Sequence, residues 1–298
     1  MSRDALLRIR PLDHLVLPVV SLDDARARYE RLGFTVAPNG VHPFGTENAN
    51  IYLPEGPFLE PLAIGSRETC WAEAQRGNSF VRNDLAYRFR VSGEGFSHTV
   101  MTTDDAEADY HRYADAGYPD GPVVTFSRIA EDGAGQRTEV RFKLAFAMDP
   151  RSPDARFFSC ETQAAPPRSD QLRSHPNGAE RVLRVVISEP NPTDFQYVLQ
   201  EVTGNRDVEA HSFGMDVETE NGTIEVLTPE GLRMRYGIEA PEQARGMLHQ
   251  TFVVGVRDLP AAERWLSTHA IEWERRGPTV VVPPALGQGC PVCFEALA

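Results

Sequence analysis

The sequence predicts an α+β fold of four βαβββ units, paired into two domains. Three observations predict it. The order strand, helix, then further strands occurs four times along the 298 residues. A polar, proline-rich stretch separates the second recurrence from the third. The first two recurrences also superpose around a histidine and a glycine at equal separation.

The first unit opens with Leu12 to Val20, apolar and β-prone, which reads as a strand. Ser21 is placed to cap a helix, with Asp23 and Asp24 in the first turn, where carboxylates complement the helix dipole. Ala25 to Leu32 carries apolar residues at helical spacing, and Gly33 ends the run. Three strands are expected after it, at Phe34–Val36, Asn50–Leu53 and Phe58–Leu62.

The second unit starts near Phe96–Met101, with a helix over Asp104–Ala116 and a last strand over Arg156–Glu161. The third starts at Val182–Ser188, continues in a helix over Thr193–Val202 and has a strand at Thr223–Leu227. The fourth starts at Gln250–Val256, has a helix over Leu259–Thr268 and ends in Pro291–Glu295. The stretch from Thr162 to Gly178, with Pro166-Pro167 and the Asn177-Gly178 turn, reads as the linker. The expected domains are residues 1–162 and 179–298, joined by 163–178.

Composition narrows the function classes. A formal net charge of −13 and the lack of a dense Lys/Arg stripe argue against nucleic acid. No run of about 18 apolar residues is present, so no membrane span is expected. Met1-Ser2-Arg3-Asp4 lacks the long apolar run of a signal peptide, so none is expected, and four cysteines are too few for a disulfide framework. A cytoplasmic location is expected, with a small-molecule substrate and a possible homodimer. No Gly-x-Ser-x-Gly, phosphate loop or dinucleotide fingerprint occurs.

His14 lies 19 residues before Gly33, and His98 lies 19 before Gly117. Each glycine is followed by an aromatic, Phe34 or Tyr118, and preceded at four residues by Tyr29 or Tyr113. The two histidines therefore occupy equivalent places on equivalent first strands. Glu60 and Glu161 stand in otherwise apolar last strands, where an unpaired carboxylate is costly. Two histidines and two glutamates form a ligand set suited to Zn, Fe, Mn, Ni or Co.

The repeated units, the Leu12-Asp13-His14-Leu15-Val16 opening and the Phe58-Leu59-Glu60 strand resemble the vicinal-oxygen-chelate superfamily, in its glyoxalase-like branch. Residues His42-Pro43-Phe44-Gly45-Thr46-Glu47-Asn48, Val140 to Ala147 and His175-Pro176-Asn177-Gly178-Ala179 extend the likeness. The resemblance implies two domains of the glyoxalase/bleomycin-resistance/extradiol-dioxygenase type. It also implies a divalent metal held by His14, Glu60, His98 and Glu161, with Glu161 or Glu60 moving a proton α to a carbonyl. The implied activity is that of a metal-dependent isomerase, epimerase or lyase. A ring-cleaving dioxygenase and a non-catalytic small-molecule binder are the alternatives.

His42 is expected at the mouth of the cleft, against substrate. His111 is expected in solvent and His175 in a structural turn. Cys290 and Cys293 are expected to pack at a β edge. In the C-terminal half, the same count places Val185 and Thr251 where the histidines stand. Neither is a good ligand, so a structural or capping role is expected there, with Glu295 resembling Glu60 and His249 sharing the face of Thr251.

Overall fold

The structure, a computed structural model, describes residues 8–131, 137–164, 169–242 and 245–297. Met1–Asp4 and the Pro166-Pro167 pair of the expected linker lie outside these residues.

In the first unit, β1 (Leu12–Pro18) leads to α1 (Leu22–Arg31), β2 (Gly40–Val41), β3 (Thr46–Asn48) and β4 (Phe58–Ile64). Ser21 caps α1 as expected, its hydroxyl accepting from the Asp24 N–H. Gly33 follows in the left-handed region at φ 88°, where a side chain would be strained. The strand expected at Phe34–Val36 does not form. Phe34 N–H donates back to Tyr29 O, closing the helix, and Thr35 N–H donates to His175 Nδ1. Of Asn50–Leu53, only Ile51 makes a bridge, to Leu59.

Two helices that the sequence reading did not anticipate follow, α2 (Arg67–Gln75) and α3 (Ser79–Arg90). The second unit is β5 (His98–Thr102), α4 (Ala106–Ala116), β6 (Val124–Glu131), β7 (Arg137–Ala147) and β8 (Arg156–Gln163). The third is β9 (Ala179–Ser188), α5 (Gln196–Thr203), β10 (Glu209–His211), β11 (Gly214–Glu218) and β12 (Thr223–Leu227). Another unanticipated helix, α6 (Pro229–Tyr236), precedes the fourth unit. That unit is β13 (Leu248–Val256), α7 (Leu259–Thr268), β14 (Glu274–Arg276), β15 (Thr279–Val282) and β16 (Val292–Ala296).

Two eight-stranded mixed sheets result, ordered β2-β3-β4-β1-β5-β8-β7-β6 and β10-β11-β12-β9-β13-β16-β15-β14. Within each, the two units join through their first strands: β1 runs antiparallel to β5, and β9 to β13. Each first strand is also parallel to the last strand of its own unit.

Strand alternation gives each sheet two distinct faces. In the first sheet, Leu15, Leu17, Leu59 and Phe157 face the helices. They join Tyr29, Tyr113, Val198, Leu199, Leu266 and Phe294 in one apolar core that runs through both halves. Each fully buried aliphatic or aromatic side chain there contributes roughly 1.5–3 kcal/mol. Polar contacts also cross between the halves: Tyr29 Oη donates to Gln288 O at 2.8 Å, and Trp265 Nε1 donates to Arg31 O at 3.0 Å. The opposite face of the first sheet is concave and is partly covered by Cys70 of α2 and by Phe80 and Val81 of α3.

Cys290 and Cys293 are buried free thiols. Cys293 is not at a sheet edge, because β16 lies between β13 and β15. No helix among the described residues is long and apolar enough to cross a membrane.

Candidate active site

A cavity of about 390 Å³ opens on the concave face of the first sheet. Alternation decides what lines it. Residues of even number point inward: His14 from β1, Phe58 and Glu60 from β4, Phe126 and Arg128 from β6, Phe142 from β7, and Phe158 and Cys160 from β8. The cavity is aromatic along its walls and polar at one end, the usual composition of a small-molecule site.

At the polar end, both ring nitrogens of His14 face carboxylates. Nδ1 lies 2.5 Å from Asp13 Oδ1, and Nε2 lies 3.4 Å from Glu60 Oε2. Phe58 stacks on the His14 ring, with centroids 4.7 Å apart, and fixes its plane. Glu60 is buried, and Asn48 Nδ2 donates to its Oε1 at 2.5 Å.

His42 Nε2 stands 3.9 Å from the same Oε1 and 3.4 Å from Asn48 Nδ2, while Nδ1 lies 2.9 Å from Thr46 Oγ1. Because the Asn48 amide is the donor, His42 Nε2 accepts and Nδ1 carries the hydrogen to Thr46. Burial, reinforced by Arg128 and His14, lowers the His42 pKa to about 3, so the ring is neutral. His42 therefore lines the cavity, and Asn48 behind it holds Glu60 in place. His42 lies inside the cavity rather than only at its mouth.

His98 stands elsewhere. It shares the concave face with Val100 and Thr102 but lies beneath the Phe146 and Phe158 rings, outside the cavity lining. Its Nδ1 meets Ser97 Oγ at 2.8 Å, and its buried Nε2 has no hydrogen-bond partner. Burial, then Arg156 and His249, holds its pKa well below the usual histidine value. The Phe158 ring touches both histidines, with centroids 5.5 Å from His14 and 5.6 Å from His98.

Glu161 is on the opposite face of the sheet, with the odd-numbered residues of β8. Its Oε2 accepts from the Ala106 N–H at the start of α4, and its Oε1 accepts from Gln163 at 2.6 Å. Strand register explains the correction. Glu60 pairs with Val16, whose counterpart in the second unit is Val100, and Val100 pairs with Phe158. The place equivalent to Glu60 is therefore Phe158, three residues from Glu161, and an odd offset reverses the face.

Of the quartet that the resemblance implied, the structure brings together His14 and Glu60 and adds His42. It does not bring in His98 or Glu161. Among the described residues, no three His, Cys, Asp or Glu side chains converge closely enough to hold a metal ion. As arranged, the donor set does not fit the implied metal.

The C-terminal half supplies a comparison. Glu225 pairs with Val186 and Val186 with Thr251, the same relation as Glu60 to Val16 to His98. The counterpart of His14 is then Arg184, one residue from the expected Val185. The counterpart of Glu60 is Glu225, while Glu295 takes the place of Cys160. Arg184 pairs with Glu295 and meets Tyr236 Oη, and Tyr236 Oη donates to Glu225 at 2.7 Å. A guanidinium thus occupies this half's site. A bulge between His249 and Thr251 puts these two on different faces. His249 Nε2 meets Thr99 Oγ1 of the other half at 2.9 Å, while Thr251 Oγ1 donates to Pro291 O.

His175 is structural, bridging Thr35 N–H and Tyr52 O, and His111 is exposed. The sequence reading missed Asp13 as a partner and Arg128 altogether. The alternation Val124-x-Phe126-x-Arg128, facing Val140-x-Phe142-x-Leu144, carries that signal.

The sequence profile of the glyoxalase-like domain matches residues 12–203. The chain belongs to the glyoxalase-like domain family. Its two sheets have the vicinal-oxygen-chelate architecture. No curated protein sequence matches it significantly.

Among solved structures, a hypothetical protein from Staphylococcus aureus superposes with a TM-score of 0.61 at 14% identity, covering 97% of this chain and 100% of that one. A mutant 4-hydroxymandelate synthase from Streptomyces coelicolor gives 0.56 at 12% identity, over 96% and 92%. An Mn(II)-bound glyoxalase from Novosphingobium aromaticivorans gives 0.55 at 11%, over 97% and 82%. At these identities the likeness concerns the fold.

Proposed function

We propose that this glyoxalase-like protein is an enzyme that moves a proton next to a carbonyl or hydroxyl group of a small substrate, in an isomerase, epimerase or lyase reaction. The observation that carries the reading is His14, held between Asp13 and Glu60 at the polar end of an aromatic cavity. A base needs a fixed lone pair within reach of the substrate and surroundings that exclude bulk water. In the tautomer that carries its hydrogen on Nδ1 toward Asp13, His14 would offer Nε2 as that lone pair. Glu60 beside it can share or receive the proton. Asn48 keeps Glu60 oriented, and neutral His42 limits the charge around it.

The test is exchange of the α-hydrogen for deuterium in small hydroxy- and oxo-carbonyl compounds, followed by NMR in D2O. It is run on metal-stripped protein and again after adding Zn, Mn, Fe, Ni or Co. Wild type should exchange, and His14→Ala and Glu60→Gln should each slow exchange by about 100-fold. Equal exchange in wild type and His14→Ala removes His14 from the chemistry. Ligand binding without exchange under any metal condition supports a non-catalytic binder instead.

A further inference from the structure

Arg128 stands on β6, one edge of the first sheet, and Gly40 stands on β2, the other edge. The curl of the sheet brings these edges together: a Cβ built on Gly40 would lie 2.5 Å from Arg128 Nη1. The ring contacts agree, since Phe126 of β6 approaches His42 and Phe44 at centroid distances of 5.6 and 5.1 Å. Arg128 therefore closes the cavity, and Gly40, lacking a side chain, leaves room for its guanidinium.

The guanidinium lies over the Phe142 ring, 5.4 Å from its centroid, which sets its plane from one side. No Asp or Glu among the described residues pairs with it, although other half-buried arginines, such as Arg10, Arg88 and Arg156, do have carboxylate partners. An arginine that lines a cavity, is oriented by an aromatic ring and lacks an internal anion is preorganised for an external one.

We propose that Arg128 is the anchor for the carboxylate of a monoanionic, aromatic or similarly flat apolar acid. This rests on the cavity being the substrate site of the proposed function, and it names the class of that substrate. Five phenylalanines, Phe58, Phe80, Phe126, Phe142 and Phe158, line the space in which the apolar body lies. The charge is limited to one because Asp13 and Glu60 share the cavity and the whole chain carries −13. A phosphate dianion would face two carboxylates with a single cation to hold it. Arg128 stands close to the polar cluster, since Asn48 Oδ1 lies 2.5 Å from the same Gly40 Cβ position, so a carboxylate held there sits beside the Asn48–Glu60 pair while the apolar body lies against the phenylalanines.

Isothermal titration of the full-length protein with matched pairs, benzoate against benzamide and phenylacetate against phenylacetamide, tests the assignment. Wild type should bind each acid about ten-fold or more tighter than its amide, the strength of a charge-assisted bidentate contact. Arg128→Gln should abolish that preference while leaving amide affinity within about two-fold, and Arg128→Lys should restore part of it. His14→Ala should keep the preference, so a failure of the proton-transfer reading leaves this result standing, and the reverse also holds. The assignment is overturned if acids and amides bind wild type equally, if no acid binds at millimolar concentration, or if Arg128→Gln binds the acids as wild type does. A circular dichroism spectrum and melting temperature matching wild type show that Arg128→Gln is folded.

Discussion

Asn48 donates its side-chain amide to Glu60 Oε1 at 2.5 Å, and this bond helps a buried carboxylate persist beside two histidines. A buried charge deprived of its hydrogen bond costs several times a typical bond's worth. Asn48→Asp replaces the donor with a second carboxylate. The expected loss is about 2–4 kcal/mol at neutral pH, read by urea unfolding. Adding Glu60→Gln should recover at least half of it. A neutral Asn48→Asp would show that this contact does not support Glu60.

Mild acid should weaken the protein through its buried histidines. Burial lowers the pKa of His42 and His249 to about 3, of His175 to about 4, and of His98 well below the usual value. Unfolded histidines take up protons below about 6.5, whereas the folded ones do not. The unfolded state therefore binds more protons in that window, and stability rises with pH through it. Stability should be level above about pH 7 and fall toward pH 5, each histidine contributing about 1.4 kcal/mol per pH unit. Urea midpoints across this range, with His249→Asn as a variant of shallower slope, check the sign.

Glu161→Ala should behave as the loss of a helix cap. Its carboxylate accepts from the Ala106 N–H on the helix side of the sheet. The expected cost is about 1 kcal/mol in stability with unchanged ligand affinity in the cavity. A large loss of affinity at unchanged stability would return Glu161 to the site.

Arg184→Met leaves the partly buried Glu295 without its cation and removes a partner of Tyr236. Because both side chains of the pair retain some exposure, the expected loss is about 2 kcal/mol, below that of a fully buried pair. The double variant Arg184→Met/Glu295→Met should regain most of it. Equal stability of the single and double variants would contradict the pairing.

The sequence made the four-unit plan legible because periodicity and helix punctuation are local signals. Ser21 and Gly33 mark the ends of α1 wherever the rest of the chain goes. Thr35 was misread because its N–H is claimed by His175, about 140 residues away, which no local pattern reveals. His14 and Glu60 were legible as polar residues at fixed places in apolar strands. Glu161 was not, because the face on which a strand residue lies depends on register, and the long insertion before β8 hides the register. Arg128 was not legible because its meaning comes from two opposite sheet edges meeting.

One rim contact of the cavity comes from the other half of the molecule. Asn221, in the turn between β11 and β12, accepts from the Leu12 N–H at 2.7 Å and donates to Leu12 O at 3.0 Å, at the root of the strand that carries Asp13 and His14. Arg10 is held in the same way, its N–H donating to Thr203 O and its carbonyl accepting from the Glu220 N–H. Removing residues 179–298 would thus take away the segment that pins the backbone of the histidine's strand. The half whose own site is filled by an arginine braces the half that carries the His14 cavity, so under the proposed function affinity in that cavity should depend on residues some 200 positions downstream of His14.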